Sequence, residues 1–145
     1  MDGFMDGFRA ARGGDAPERV NVLAHSYGST TAAEGLWATR YRVNSFVNYG
    51  SVGFTLDQPV TAINADQIFR TKGELDLVAN AGLGAGGQSR KDPQDLGAID
   101  FSATDEGGLR GVDGHSAHLE GGVGYLTPGS TSLSHIIEII KRGRP

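Results

Sequence analysis

The stretch Arg19-Val20-Asn21-Val22-Leu23-Ala24 reads as a short buried strand. His25-Ser26-Tyr27-Gly28 turns out of it, and a helix-like segment follows from Ser29 to about Arg40. Strand, tight turn and helix in that order are the setting in which a nucleophile elbow works. A serine there sits on a strained turn that lifts its hydroxyl above the carboxyl edge of a sheet. Small residues two positions either side let neighbouring backbone pass, and here they are Ala24 and Gly28, giving A-x-S-x-G rather than G-x-S-x-G. The motif gains its meaning from the strand before it and the helix after it.

Outward from the elbow, further elements follow. Met1 to Phe8 holds a tandem Met-Asp-Gly-Phe, and Phe4, Met5, Phe8 and Ala11 recur at helical spacing, which predicts a short amphipathic helix. Val43 to Tyr49 and Gln67 to Thr71 read as strands, and Ile99 to Ser102 as a shorter fourth. Gly107 to Gly124 reads as an irregular loop carrying His115 and His118. Ser130 to Arg142 is an amphipathic helix with Leu133, Ile136, Ile137 and Ile140 on one face and hydroxyl residues to cap its start. Strands alternating with helices predict an α/β fold, a parallel sheet with helices on both faces. Sites in such sheets gather at the carboxyl ends of the strands. Ser26, Asp76 and His115 each follow a predicted strand or its loop, so one sheet edge can bring them together.

The bulk composition narrows the field. A chain of 145 residues is one domain with one core, and 23 glycines point to many turns. Net charge is −4 and the 13 basic residues are scattered, which argues against a nucleic-acid surface. With no cysteine there is no disulfide, thiolate metal site or cysteine nucleophile. No run approaches the roughly 20 apolar residues of a membrane span. Met1-Asp2-Gly3-Phe4 lacks the features of a signal peptide. The chain reads as soluble, either cytoplasmic or secreted as part of a longer protein.

A serine hydroxyl is a weak nucleophile at neutral pH and needs a base, usually histidine, held by a carboxylate. The candidates in chain order are Ser26, Asp76 and His115, with Glu74 as an alternative acid and His118 as an alternative base. The backbone N–H of Tyr27 would hold an oxyanion. His25 reads as a packing or hydrogen-bonding residue and His135 as structural. Asp76 also has a plainer reading as a helix cap. Asp113, His115 and His118 match no strong zinc pattern, and neither a metal nor a cofactor is expected. Gly82, Gly84 and Gly87 fit G-x-G-x-x-G, but polar residues and Pro93 follow where a dinucleotide fingerprint needs a helix, so the stretch reads as a loop.

With these pieces placed, the chain resembles an actinobacterial α/β-hydrolase family of largely unassigned substrates. Leu23 to Thr30 is similar to that family's G-H-S-Y-G-S-T elbow. Phe46-Val47-Asn48-Tyr49-Gly50-Ser51-Val52-Gly53 is similar to its strand ending in G-S-x-G. His115-Ser116 with Tyr125-Leu126-Thr127-Pro128-Gly129-Ser130-Thr131-Ser132-Leu133 looks like its H-S-x-Y-x-x-P-G-S-x-S-L signature. The resemblance implies Ser26 as nucleophile, His115 as base and Asp76 as the third member, acting on a small-molecule or lipid-like ester through an acyl-enzyme. Ala24 replaces the first glycine of the elbow, and Leu119 to Gly124 lengthen the final signature, which keeps His118 as the alternative base. Only about 19 residues precede the elbow strand, whereas the family has several strands there, one of them leading to a second oxyanion donor. The chain therefore reads as the C-terminal part of an α/β-hydrolase fold. An exposed sheet edge invites pairing with another chain. The rival readings are a catalytically silent binding module and a fragment of a larger protein.

Overall fold

The computed structural model describes residues 1–15, 17, 19–55, 59–82 and 90–145. Gly84 and Gly87 of the glycine-rich stretch lie outside them. The elements run α1 (Asp2–Ala11), β1 (Asn21–His25), α2 (Tyr27–Ala38), β2 (Val43–Tyr49), a 3-10 turn (Val60–Ala62), β3 (Ala65–Thr71), α3 (Leu77–Gly82), β4 (Ile99–Asp100) and α4 (Thr131–Arg142). The described strands form one parallel sheet in the order β1-β2-β3-β4, so each crossover steps one place in the same direction. The sheet is of the α/β type expected.

Register explains why one edge becomes the site. His25 lies opposite Tyr49, and Tyr49 opposite Thr71, so β1, β2 and β3 end level. Ser26, Gly50 and Lys72 leave the sheet together, and β4 ends nearby through the pairing of Arg70 with Asp100.

Alternation along β2 divides the interior in two. Phe46 packs with Ala33 and Leu36 of α2, together with Phe54 and Ile68. Val47 and Tyr49 face the other way, onto Ile136 and Ile139 of α4 with Phe69 and Tyr125. Helices thus cover both faces. Truncating Phe46, which is fully buried and stacked on Phe54 with centroids 5.8 Å apart, is worth about 3–5 kcal/mol.

α4 has its start and stop written into it. The Ser130 side chain accepts from Leu133 N–H, and Gly143 closes the helix with φ 73 and an N–H bond to Ile139 O. Its buried stripe differs from the expected one: Ile139 is fully buried while Ile137 is 38% exposed. Ser132, Ile136 and Ile139 align at 3.6-residue spacing, and Ile137 sits about 100° round from Ile136. α1 also turns differently. Met5 is buried, whereas Phe4 and Phe8 stack on each other in solvent. The helix docks by charge, with Asp2 bonded to Thr39 and Arg40, and Asp6 to Arg40 and Tyr41, which aims the phenylalanine row outward.

Between β3 and β4, Arg70 grips Asp92 with two bonds (2.9 and 2.6 Å) and Asp100 with a third (2.6 Å). Burial works against charge on both Arg70 and Asp92, but their mutual bonding outweighs it, raising the arginine pKa and lowering that of the aspartate. Asp92 also takes Lys72 (3.4 Å), so the network anchors the start of the loop that carries Asp76.

Candidate active site

Ser26 stands between β1 and α2 with φ 55 and ψ −131, and it has the only positive φ among the described non-glycine residues. Such a conformation costs of order 1–3 kcal/mol and persists only where its surroundings hold it. They do so through several bonds. Ser26 N–H donates to Tyr49 O (3.2 Å), and the Ser26 carbonyl accepts from Ser29 N–H (3.1 Å) and from the Ser29 hydroxyl (2.6 Å). With its proton on Ser26 O, Ser29 accepts the proton of Ser51, whose oxygen in turn takes Gly53 N–H. Thr30 donates to Gly53 O (2.6 Å). The hydroxyls of α2 thus lash the turn to the loop after β2. Tyr27 begins α2, where backbone N–H groups have no partner within the helix.

His115 lies on the loop after β4, and its Nε2 is 2.7 Å from Ser26 Oγ. Its Nδ1 is 2.8 and 3.0 Å from the two oxygens of Asp76. The carboxylate can only accept, so Nδ1 carries the proton and Nε2 is left to receive that of Ser26. His115 is 20% exposed and Asp76 fully buried.

Two donors besides His115 satisfy Asp76. Ala79 N–H gives to Oδ1 (2.8 Å), the bond of a helix cap at the start of α3. The Tyr125 hydroxyl gives to Oδ2 (2.7 Å) and itself accepts Gly73 N–H (2.8 Å). The cap reading of Asp76 and its bond to histidine therefore hold together. His25 donates Nε2–H to the carbonyl of His115 (2.6 Å), and its ring stacks on Tyr49 (5.2 Å) and lies tilted against the His115 ring (4.8 Å). Burial first of all pushes the His25 pKa down, so the ring is held neutral. Gly50, with φ 58, makes this crowding possible. A Cβ there would lie 3.0 Å from Asp76 Oδ2, 3.0 Å from the Tyr125 ring and 3.3 Å from the His25 ring.

The structure thus brings Ser26, Asp76 and His115 into one hydrogen-bonded chain. It leaves the alternatives elsewhere: Glu74 is exposed, and His118 is exposed with no bond to Ser26 or Asp76. His135 reaches Glu106 (3.4 Å) and the edge of Phe101. Asp113 turns to Val123 N–H (2.8 Å) and Arg110 (3.5 Å). Among the described residues no cluster of three or more His, Cys, Asp or Glu is placed to hold a metal ion. A surface hollow of about 500 Å3 lined by 105–111 and Asp113 includes none of the three. Among the described residues no helix is long and apolar enough to cross a membrane.

Sequence reasoning missed the parts of the site that act from one remove. Tyr125 entered only through a resemblance, and α3, with its capping amide at Ala79, is too short for a periodic pattern. Gly50 was visible only as a turn glycine. At Gly28 the expectation fails differently, because a Cβ there meets nothing within 4 Å among the described residues.

Comparison with curated proteins and with solved structures gives no match. A family model described as alpha/beta hydrolase matches residues 2–84, more than half of the chain, spanning Ser26 and Asp76. With four parallel strands and the strained serine turn at its sheet edge, the chain belongs to the α/β-hydrolase family.

Proposed function

We propose that the protein is a serine hydrolase cleaving an ester or related acyl bond, with Ser26 as nucleophile, His115 as general base and Asp76 as the group that orients and stabilises the histidine. The single observation carrying this reading is the unbroken bonding from Ser26 Oγ through His115 to Asp76, at 2.7 and 2.8 Å. Both distances lie within the reach that proton transfer needs.

The steps follow from those positions. Ser26 Oγ attacks the acyl carbon while its proton passes to His115 Nε2, and Asp76 stabilises the imidazolium. The carbonyl oxygen becomes an oxyanion facing the N–H of Tyr27 at the start of α2. Collapse breaks the bond to the leaving alcohol, which takes the proton from Nε2. Water then repeats the sequence on the acyl-enzyme, losing its proton to His115 and releasing the acid.

A series of 4-nitrophenyl esters of rising acyl length tests the reading. Turnover with a nitrophenol burst equal to the enzyme concentration is expected, and absence of turnover above the Ser26→Ala background would refute it. The rival binding-module reading draws on β1, which lies at the sheet edge with Leu23 38% exposed. It predicts a concentration-dependent increase in mass together with esterase activity equal in wild type and Ser26→Ala.

A further inference from the structure

Tyr125 is fully buried and touches every part of the acid–base half of the site. Its backbone N–H donates to the carbonyl of Ser116 (3.1 Å), the residue after His115. Its carbonyl accepts from Ser132 (2.6 Å) and Ser130 (3.3 Å), the residues that open α4. Its ring packs against Tyr49 and His25, with centroids 5.7 and 6.0 Å away. Its hydroxyl bridges Gly73 N–H and Asp76 Oδ2.

The direction of that bridge is not free. An amide can only donate, so Gly73 occupies a lone pair of the phenol oxygen and the phenol proton goes to Asp76. Burial, reinforced by Asp76, raises the phenol pKa far above its usual value, so the group stays a donor across any working pH. Apart from the His115 ring that it must orient, Asp76 has Ala79 N–H on Oδ1, and a carboxylate pinned by the rest of the fold at one oxygen can still rotate about its Cβ–Cγ bond. A second donor on the other oxygen stops that rotation and keeps the plane turned to His115 Nδ1.

We infer that Tyr125 is a positioning residue for the reaction proposed above, its hydroxyl fixing the plane of the Asp76 carboxylate so that His115 presents Nε2 to Ser26. The inference rests on that reaction. It also gives a physical reason for the final signature of the sequence. The hydroxyls of Ser130 and Ser132 fasten the backbone carbonyl of the tyrosine that steadies the acid.

Tyr125→Phe keeps the ring and removes only the hydroxyl. The expected result is a fall in kcat of about 10–100-fold with KM within about twofold, because the group acts on orientation rather than binding. Removing a donor leaves more carboxylate charge to stabilise the His115 imidazolium. The acidic limb of the kcat/KM profile therefore moves up by about half a pH unit or more. A merely structural tyrosine would lower thermal stability and leave that limb in place. Wild-type kcat and pH profile in folded Tyr125→Phe would overturn the inference while leaving the hydrolase reading intact. If Tyr125→Phe does not fold, 3,5-difluorotyrosine at position 125 changes donor strength at nearly constant shape. A shifted limb then supports the inference and an unshifted one overturns it. If the wild type hydrolyses no ester, the reaction falls, and the NMR signal of His115 Nδ1–H decides the geometric part. Its loss in Tyr125→Phe supports positioning, and an unchanged signal overturns it.

Discussion

The turn at Ser26 and the loops carrying Asp76 and His115 reach the same hydrogen-bonded chain by opposite routes. At Ser26 the work is local: one residue in a strained conformation, held by neighbours within a few positions and by the loop after β2. At the other end the bonds that join the groups are long-range, and only the cap of Asp76 on Ala79 N–H is local. Asp76 comes from the loop after β3, His115 and Tyr125 from the long connection between β4 and α4, and no backbone strain is found at any of them. They are placed by bonds between buried groups, including the grip of His25 on the His115 carbonyl. A strained turn can be read from five residues in a row. A network assembled across the fold cannot.

Two histidines three residues apart, His115 and His118, differ most in what they touch. His115→Ala is expected to lower kcat by about 10^4- to 10^6-fold, the scale of removing a base from such a relay. His118→Ala, at an exposed position, is expected to stay within about twofold. Steady-state kinetics on one ester checks both, and equal losses would show that the loop rearranges in solution.

Two glycines set the halves against each other. Gly50→Ala forces a side chain into a left-handed position against Asp76, Tyr125 and His25. A loss of about 2 kcal/mol in denaturant unfolding and a fall of at least tenfold in kcat are expected. Gly28→Ala meets nothing within 4 Å among the described residues and sits in the first turn of α2. It is expected to leave stability unchanged or raise it by up to about 1 kcal/mol.

His25→Phe preserves ring packing and removes the donor to His115 O, leaving a partly buried carbonyl unpaired at about 1–2 kcal/mol. The pH dependence sharpens the test. Burial lowers the His25 pKa below the unfolded value of 6.5, so below that pH the unfolded chain binds a proton that the folded chain refuses. Stability from this group is complete above pH 6.5 and falls as pH drops towards the folded pKa. The variant lacks that loss. Urea midpoints between pH 5 and 8 measure it, and parallel slopes in both proteins would contradict the assignment.

What was legible follows the same division. β1, the serine turn, α2, β2 and α4 follow from apolar runs and caps in adjacent residues. Ser26, Asp76 and His115 were singled out by residue type and order along parallel strands. α3 was hidden because six residues show no period, and Ile139 displaced Ile137 because the packing of α4 depends on where β2 lies. Gly50 and Tyr125 owe their roles to contacts across the fold, with Tyr125 bonded to Gly73 and Asp76 far away in sequence.

Fluorophosphonate labelling, mapped by peptide mass spectrometry, tests the nucleophile most directly. One adduct per chain is expected, on Ser26, lost in Ser26→Ala, strongly slowed in His115→Ala and unchanged in His118→Ala. A folded protein that takes no label, or takes it at another residue, would contradict that assignment.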